Sequence, residues 1–308
     1  MKRERIFKGA GLASLIAGAV ALSSCDNKNE TTNTDGDAKG SDSSSKVLRF
    51  SAIPDQDATA QAERYAPAAK WLSEQLGIKV EFVPSSDYAA SVDKFETGDI
   101  QLAWFGGVSG VQARNAVEGS RAIVSGTKDL QFKSYFIANA STGLTKGADF
   151  PGKTKGMTFT FGSSGSTSGC IMPAHFIVKN TGTNPMKYYT NVGFSGSHDK
   201  TALLVQDGTF QAGAMNFSTY ERMVKEGKID PEKCRVIWET PTYADYNFTA
   251  SGELDKTYGA GFTDKLQKLL VGCKDAGVLK AFDRNEFVKV ENSTFQGIAD
   301  VMAKVKLK

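Results

Sequence analysis

The chain has 308 residues, a formal net charge of +3 and a calculated pI near 8.5. Four of its 37 basic residues and one of its 34 acids lie in residues 1–25, which leaves 33 of each sign in the rest. The rest of the chain is therefore neutral, which excludes a strongly basic surface for nucleic acid or anionic lipid. Two histidines, and cysteines without metal-type spacing, also argue against a metal site or another bound cofactor.

Residues 1–25 have the layout of a lipoprotein signal peptide. A basic head precedes an uncharged, apolar stretch over residues 9–22, which is too short to span a bilayer comfortably. It ends on Leu-Ser-Ser before Cys25, which resembles the bacterial lipobox, in which this thiol is lipidated. Cys25 is therefore predicted to anchor the protein on the outer face of the cell membrane. The alternative is an ordinary cleaved signal with an incidental cysteine.

Residues 26–46 contain no apolar side chain larger than alanine. Such a composition cannot bury a core, so we predict a disordered tether. As a flexible chain it would reach about 25 Å. The three cysteines that follow, Cys170, Cys234 and Cys273, are an odd number, which leaves open one disulfide or three buried free thiols.

The remaining residues alternate between strand and helix patterns in chain order. Short apolar runs predict strands at 47–50, 79–83, 100–105, 157–161, 188–194, 210–215 and 235–238. Helical spacing predicts helices at 59–76, after 106, from 167, and at 200–206, 263–279 and 294–305, the last two returning to the first lobe. The alternation predicts an α/β fold with parallel or mixed sheets, in two lobes or one large unit.

At four places a predicted strand ends in small or hydroxylated residues that open a helix. These junctions are 85–86, 106–107, 166–168 and 197–198. The first turn of a helix has unpaired N–H groups and the positive end of the helix dipole, so it can bind an anion without a basic side chain. Such junctions gather at the carboxyl edge of an open α/β sheet, where ligands bind.

The run over residues 162–170 is the most distinctive junction. Gly165 allows close backbone approach to a ligand, and Ser166, Thr167 and Ser168 add hydroxyl donors. A flexible turn with a helix cap is the alternative. A phosphate-binding P-loop is excluded because it requires a lysine where Ser166 stands. A hydrolase elbow requires a central serine, and Thr167 holds that position.

A serine hydrolase is still conceivable from composition, with Ser166, His198 and Asp245 as a triad, although their spacing does not require it. His198 stands at a predicted helix start, where a tautomer-fixed or protonated imidazole could donate to an oxyanion. A capping or surface histidine is the alternative. His175, eight residues beyond Thr167 on the same predicted helix, is interpreted as structural.

Five motifs occur together in the order of one known family. They are Tyr65-Ala-Pro-Ala-Ala69 with Trp71, Asp87-Tyr88-Ala89, Leu102-Ala-Trp-Phe-Gly106, the Gly-Ser-Thr-Ser-Gly run and Ser195-Gly-Ser-His198. The sequence thus resembles the phosphonate- and phosphite-type binding proteins of ABC importers, nearest the branch labelled selenate-binding. The resemblance implies a type II periplasmic-binding-protein fold with the ligand cleft between two lobes. We predict lobe 1 over residues 47–134 and 246–308, and lobe 2 over 135–245.

The resemblance also implies which residues line the cleft. Matching positions are Tyr88 and Phe105 from the first lobe, and Ser166, Thr167, Ser168, His198, Asn216 and Asp245 from the second lobe and the crossover. Phe105 replaces a tyrosine often found there and loses a hydroxyl contact. Asn216 stands where aminoalkylphosphonate binders carry a carboxylate, which disfavours an aminophosphonate.

Asp245 bears on the ligand's protonation state. A buried carboxylate that faces a fully ionised oxyanion is repelled, whereas one that faces an O–H group accepts a hydrogen bond. If Asp245 lines the cleft, it favours hydrogen phosphite, hydrogen phosphate or a monoprotonated phosphonate over sulfate or selenate. The alternative is a solvated loop residue.

The resemblance implies a function without catalysis. A monomeric, lipid-anchored protein would capture the oxyanion and deliver it to an ABC permease with its ATPase. A sensory lipoprotein with the same cleft is the second hypothesis, and the hydrolase is the third.

Overall fold

Two β-sheets organise the part of the chain that the structure describes. The computed structural model describes residues 46–56 and 60–307. Its strands are β1 (Leu48–Ala52), β2 (Val80–Phe82), β3 (Leu102–Phe105), β4 (Arg121–Gly126), β5 (Ser134–Asn139), β6 (Thr158–Phe161), β7 (Asn191–Phe194), β8 (Ala212–Asn216), β9 (Cys234–Glu239), β10 (Asn247–Ala250) and β11 (Phe287–Lys289). Its helices are α1 (Gln61–Leu76), α2 (Tyr88–Glu96), α3 (Gly107–Ala116), α4 (Met172–Thr181), α5 (Pro185–Tyr188), α6 (His198–Gln206), α7 (Phe217–Lys225), α8 (Leu254–Tyr258), α9 (Phe262–Val271), α10 (Ala276–Phe282) and α11 (Gln296–Lys304).

The strands divide into a six-stranded and a five-stranded sheet. The first sheet has the order β11-β4-β10-β3-β1-β2, and the second has the order β7-β6-β8-β5-β9. In the first sheet β1 pairs in parallel with β2 and β3, and in the second β6 pairs in parallel with β7 and β8. The strands that follow the crossovers are antiparallel to their neighbours, β10 to β3 and β5 to β8. We call the first sheet with its helices the first lobe, and the second sheet with its helices the second lobe.

The chain passes from the first sheet to the second after β4 and returns after β9. The two crossing segments run side by side, because the Phe132 N–H donates to the Tyr243 carbonyl and the Tyr243 N–H donates to the Phe132 carbonyl, both at 2.9 Å. A pair of adjacent crossovers is the element about which two lobes can move.

Each lobe has its own buried apolar core. The first-lobe core includes Phe50, Leu102 and Phe248 from the sheet and the inner faces of α1, α9 and α10. The second sheet is covered by one cluster under α4 and another under α6 and α7. Strands buried on both faces read as continuous apolar runs, which is why the sequence pattern located β3 and β8. The pattern missed four of the described strands, β4, β5, β10 and β11.

Helix ends follow local residue chemistry. Helix α1 buries Tyr65, Ala68, Leu72 and Leu76 on one face and ends at Gly77, which has the left-handed φ of 69° expected at a helix stop. The predicted helix over 263–279 is wrong as one element: it is two helices, since Asp275 caps α10 by accepting from the Val278 N–H at 2.9 Å.

Helix α11 reaches both lobes. It packs against α3, which follows the first sheet, and against α4, which lies on the second. The Asn184 side chain in the second lobe also donates to the Lys306 carbonyl at 2.7 Å. The last helix therefore bridges the lobes rather than returning to the first alone. The lobe boundaries at residues 134 and 245 stay a prediction.

Three thiols lie within the described residues, and all three are free and buried. Cys273 belongs to the first-lobe core, while Cys170 and Cys234 lie in the two separate clusters of the second lobe. Burial raises the pKa of Cys170 and of Cys234 to about 12, so both thiols are inert at neutral pH. Of the two alternatives, the structure therefore contains buried free thiols.

Other sequence predictions fall outside this part of the chain. The lipoprotein signal with Cys25 and most of the tether at 26–46 lie outside the described residues. Over residues 46–56 and 60–307, no helix is both long and apolar enough to cross a membrane. Nor does this part contain a group of three or more His, Cys, Asp or Glu side chains placed to hold a metal ion.

Candidate functional site between the two lobes

The predicted strand-to-helix junctions meet between the lobes. Gly106 precedes α3, Asp87 caps α2 and Ser197 precedes α6. The serine-rich run forms a short π-helical turn, Thr167–Ile171, before α4, and the Ser166 hydroxyl caps it by accepting from the Gly169 N–H at 3.0 Å. The sequence missed a fifth junction, at Asn216, which caps α7.

Protein atoms already occupy part of these helix starts. In the first turn of α3, the Gly107 N–H donates to Asp245 Oδ1 and the Val108 N–H donates to Thr167 Oγ1, both at 2.9 Å. The His198 N–H, at the start of α6, donates to the Asp55 carbonyl at 3.0 Å. The two lobes are thus in direct contact, and a ligand must be recognised by atoms that these bonds leave free.

Two glycines permit this contact. A Cβ at Gly106 would lie 3.1 Å from Thr167 Oγ1 and 3.2 Å from Asp245 Oδ1. A Cβ at Gly165 would lie 3.1 Å from the Tyr88 Cβ, so the serine-rich turn and α2 approach each other only because residue 165 has no side chain. Both separations are tighter than ordinary van der Waals contact.

Asp245 is a buried carboxylate with one free oxygen. The residue is 1% exposed, its Oδ1 accepts from Gly107, and its Oδ2 has no partner within hydrogen-bond distance. Burial raises the pKa of Asp245 to about 7, against the lowering effect of the Gly107 amide and of the nearby Thr167 and Ser168 hydroxyls, neither of which makes a hydrogen bond of good geometry to the carboxylate. This group therefore holds or releases a proton close to neutral pH when the lobes are together.

His198 is a buried imidazole with one free nitrogen. Its Nδ1 accepts from the Asn216 N–H at 3.3 Å, and its Nε2 has no partner. Burial lowers the pKa of His198 to about 4, against the raising effect of Asp55 and Asp199, so the ring is neutral at physiological pH. Since Nδ1 accepts, the ring proton lies on Nε2, and the free atom is a donor.

Three buried side-chain polar atoms lack a partner among the described residues, and two of them are His198 Nε2 and Asp245 Oδ2. The third is Ser125 Oγ. An unpaired buried polar group costs about 1–3 kcal/mol, so it calls for a partner that completes it. The site offers one buried donor from the second lobe and one buried acceptor from the crossover.

Sequence reasoning missed a second layer of the site formed by Asp55 and Tyr246. The Tyr246 hydroxyl donates to Asp55 Oδ2 at 2.8 Å and accepts from Asn216 Nδ2 at 3.1 Å. Asn216 Oδ1 accepts from the Thr219 N–H at 3.1 Å, so both ends of its amide are used within the protein. Asp55 follows β1 at the carboxyl edge of the first sheet, a position that could have marked it.

A buried ion pair between Arg284 and Asp129 packs against this second layer. Arg284 donates to both carboxylate oxygens of Asp129, at 2.5 and 2.6 Å. Its guanidinium lies beside the stacked rings of Trp104 and Tyr246, 5.3 and 5.1 Å from their centroids. The Asp129 carbonyl accepts from the Asp245 N–H at 2.9 Å. This pair thereby fixes the backbone of Asp245 and the plane of Tyr246.

The remaining predicted site residues have different surroundings. Tyr88 is buried, and burial followed by the charge of Asp55 raises its pKa well above the usual value. Ser166, Thr167 and Ser168 are buried in the turn that faces α3. Phe105 packs edge-on against Phe95 in the first-lobe core, with ring centroids 5.7 Å apart.

The hydrolase arrangement is not assembled. A catalytic triad requires the histidine Nδ1–H to donate to a carboxylate, whereas His198 Nδ1 accepts from a backbone N–H. Ser166 Oγ serves as a cap for the π-helical turn, and Asp245 Oδ1 is bound to Gly107. His175 lies on α4 with an edge contact to Phe176, consistent with its structural interpretation.

Comparison with known proteins decides the family. A family model described as the periplasmic phosphonate substrate-binding protein of ABC transporters matches residues 50–295. The chain belongs to this family. It is therefore an extracytoplasmic substrate-binding protein of an ABC importer, with a permease and ATPase as partners, and is not an enzyme. Family membership also favours transport over the sensory alternative.

Two curated relatives and one solved structure place the binding protein within the family. It is 36% identical over 272 residues to a probable ABC transporter phosphite-binding protein, PhnD1, of Prochlorococcus marinus MIT 9301, across 85% of this chain and 91% of that protein. It is 29% identical over 300 residues to the phosphate-import protein PhnD of Mycolicibacterium smegmatis, across 93% and 87%. The structure of PhnD1 in complex with methylphosphonate matches with a TM-score of 0.79, over 84% of this chain and 98% of that one. The two-lobed type II binding-protein fold is thereby confirmed.

Proposed function

We propose that this binding protein captures a tetrahedral phosphorus oxyanion that shares a single proton with Asp245. Hydrogen phosphite and monoprotonated methylphosphonate are the leading ligands, and hydrogen phosphate is the next. The observation that carries the proposal is the pair of unpartnered buried atoms, His198 Nε2 and Asp245 Oδ2. The ligand-contact set proposed around them is Tyr88, Phe105, Ser166, Thr167, Ser168, His198, Asn216 and Asp245.

The two atoms call for opposite partners. The His198 Nε2–H can only donate, so it suits an ionised ligand oxygen. Asp245 Oδ2 accepts when the carboxylate is ionised, so it suits a ligand O–H. The pKa of about 7 for Asp245 means that the proton can sit on either partner of this hydrogen bond near neutral pH. A ligand with one O–H and at least one anionic oxygen satisfies both atoms at once.

Selenate and sulfate fit this arrangement poorly. Both are fully ionised at neutral pH, so neither brings a proton to the Asp245 carboxylate. Binding would then place two anionic oxygens together in a buried site or require Asp245 to take a proton from solvent. We therefore propose that selenate is a weak ligand at pH 7.5.

Aminoalkylphosphonates are also disfavoured. Both ends of the Asn216 amide are bound within the protein, to Thr219 and Tyr246, so the residue offers no free acceptor to a ligand ammonium group. The relatives compared above are phosphite-binding and phosphate-import proteins, and the solved structure holds methylphosphonate; none of these ligands carries an ammonium group.

A ligand panel tests the proposal. Thermal unfolding of the purified protein is followed with phosphite, methylphosphonate, phosphate, 2-aminoethylphosphonate, selenate and sulfate at pH 6.0, where phosphite and methylphosphonate still carry one proton. A ligand at 100 times its dissociation constant should stabilise the protein by about 2.7 kcal/mol. Phosphite and methylphosphonate should give the largest shifts. Selenate as the tightest ligand would reject the role given to Asp245, and no shift with any oxyanion would reject the ligand class.

We also propose that the protein works as a monomer tethered through a lipid on Cys25. The sequence before residue 26 supports this, since it ends in the lipobox pattern. Detergent phase partitioning of the expressed protein, with Cys25→Ser as the control, tests the anchor. The wild type should enter the detergent phase, and the variant should not. Sedimentation of the variant measures the oligomeric state.

A further inference from the structure

Three side chains are bonded to one another at the partly exposed edge of the contact between the lobes, beside the first crossing segment. Ser218, on α7 of the second lobe, donates to Asp283 Oδ2 at 2.9 Å, and Lys128 Nζ donates to Ser218 Oγ and to Asp283 Oδ2, each at 2.9 Å. Asp283 belongs to the first lobe, directly after α10, and Lys128 lies in the crossing segment after β4. One turn further along α7, Arg222 donates to Gln56 Oε1 of the first lobe at 2.6 Å. One face of α7 is thus bonded to the other lobe. We call Lys128, Ser218 and Asp283 the clasp.

The backbone of Asp283 indicates that its side chain is needed. Its φ of 54° makes it the single non-glycine residue with a positive φ among the described residues, whereas eleven glycines share that conformation. It ends α10, a position where glycine is the favoured residue. An L-residue there is strained, although aspartate tolerates it better than most. The strained position holds the carboxylate that Ser218 and Lys128 bind.

The clasp is separate from the atoms proposed to read the ligand. The Asp283 side chain is 46% exposed and the Lys128 side chain is 34% exposed, whereas His198 and Asp245 are each 1% exposed. The bonds of the clasp tie Ser218 of the second lobe to Asp283 of the first lobe and to Lys128 of the crossing segment. The clasp therefore bears on the relative position of the lobes.

We propose that the clasp stabilises the closed arrangement of the lobes and thereby sets the affinity for every ligand by the same factor. The proposal rests on capture of a ligand between the lobes but not on which oxyanion is captured. A binding site that is complete only in the closed arrangement has an apparent affinity that scales with the closed population. Lys128, Ser218 and Asp283 are in this sense positioning residues.

The first test is Asp283→Gly. It removes the carboxylate and also relieves the backbone, so the unfolding midpoint of the ligand-free protein should not fall. The dissociation constants for phosphite, methylphosphonate and phosphate, from isothermal titration, should all rise by a common factor of about three- to tenfold. Most of the change should appear as faster dissociation in stopped-flow measurements. Asp283→Asn, which keeps an acceptor and tolerates the same backbone, should fall between the wild type and glycine.

Ser218→Ala tests the other side of the clasp and should give a similar uniform loss. Lys225→Ala is the matched control, because Lys225 is an exposed residue on the same helix. Unchanged affinity in both clasp variants would overturn the proposal. So would a change confined to one ligand, because it would place these side chains in the selectivity of the site.

A distance measurement in the ligand-free protein tests the clasp independently of which oxyanion binds. Nitroxide labels at Glu118→Cys in the first lobe and Lys187→Cys in the second, with Cys25→Ser, report lobe separation in the ligand-free protein by pulsed electron paramagnetic resonance. Asp283→Gly should shift the distribution toward longer distances. An unchanged distribution contradicts the clasp even if phosphite binds as expected. A shifted distribution supports the clasp even if no oxyanion of the panel binds.

Discussion

Asp245, deep between the lobes, is 1% exposed and has no partner for one carboxylate oxygen, whereas Asp283, at the exposed edge of the lobe contact, is nearly half exposed and has two partners. Water can satisfy Asp283 whenever the lobes part, so its bonds add a modest free energy to closure. Water cannot reach Asp245 once the lobes are together. Its free oxygen must then be completed by the ligand or by a proton.

This difference in burial separates two contributions to binding, the selectivity for the ligand and the free energy of lobe closure. A buried unpaired acceptor costs about 1–3 kcal/mol, which is enough to discriminate between a ligand that brings a proton and one that does not. A half-exposed hydrogen bond contributes less and is indifferent to the ligand. Ligand selectivity therefore depends on the buried interior of the cleft, whereas the free energy of lobe closure depends in part on the exposed edge of the lobe contact.

The largest expected effect comes from breaking the buried ion pair between Arg284 and Asp129. Arg284→Met leaves the Asp129 carboxylate buried without its partner, and we expect the free energy of unfolding to fall by about 3–5 kcal/mol in urea denaturation. Arg121→Met is the control, since its pair with Asp264 is exposed, and it should cost less than about 0.5 kcal/mol. Equal losses in the two variants would contradict the supporting role of Arg284.

Asp245→Asn should give the next largest effect. The amide replaces the ionisable acceptor, so binding of hydrogen phosphite at pH 7 should weaken by about 10- to 100-fold, as for loss of a hydrogen bond to a charged group. Selenate and sulfate should bind better than to the wild type, because the carboxylate that repels them is gone. Isothermal titration of both ligand classes measures the ratio. A parallel loss for all ligands would assign Asp245 to closure and erase its contrast with Asp283.

The pH dependence sharpens the same contrast. Burial between the lobes raises the pKa of Asp245 to about 7 from its usual value of 3.8, so we expect closure on a ligand without a proton to take one up from solvent between these values. On account of Asp245 alone, selenate affinity should therefore fall about tenfold per pH unit from pH 5 to 7. Phosphite brings its own proton while it remains a monoanion, so the contribution of Asp245 to its affinity should stay flat at low pH and decline only once that proton is lost.

Burial also lowers the pKa of His198 to about 4 from its usual value of 6.5, so closure below pH 6.5 must release a proton from this ring, and the affinity for every ligand should fall by the same factor as the pH drops from 6.5 toward 4. The ratio of the selenate and phosphite affinities cancels this common factor and reports Asp245 alone. Titrations in buffers of different ionisation enthalpy count the protons taken up on binding. In Asp245→Asn the inflection near 6.5 should persist for every ligand, while the additional pH dependence of selenate binding should disappear. Selenate binding in Asp245→Asn that still falls tenfold per pH unit up to pH 7 would contradict the role of Asp245.

Much of the architecture follows from local sequence patterns. The strands located from the sequence, and the glycine and serine junctions that open α3 and α6, depend on apolar runs and turn chemistry within a few residues. The second layer of the site does not. Arg284 and Asp129 are separated by 155 positions, and only the tertiary fold brings them together behind Tyr246. The positive φ of Asp283 was equally hidden, since local rules assign that conformation to glycine.

Burial was the other quantity that the sequence could not supply. Asp245 was identified from its position in a family pattern, but its influence on the ligand depends on exclusion of water and on a single unpaired oxygen. Asn216 was expected to face the ligand, and its amide is used by Thr219 and Tyr246. Which polar atoms remain free for a ligand depends on all the hydrogen bonds that the folded chain makes, and most of these join residues far apart in the sequence.

The smallest expected effect tests how closely the lobes must approach. In Gly165→Ala the new methyl group would lie 3.1 Å from the Tyr88 Cβ, and the two lobes can relieve this contact by a slight opening. We expect a loss of about 1 kcal/mol in binding, at the low end of the cost of overpacking, spread evenly over all ligands. Gly152→Ala, where a methyl group meets no atom within 4 Å, is the matched control and should leave binding unchanged. A selective loss of phosphite binding in Gly165→Ala would mean that the serine-rich turn contacts the ligand directly. Ser166 and Thr167 would then share with Asp245 the role of determining selectivity.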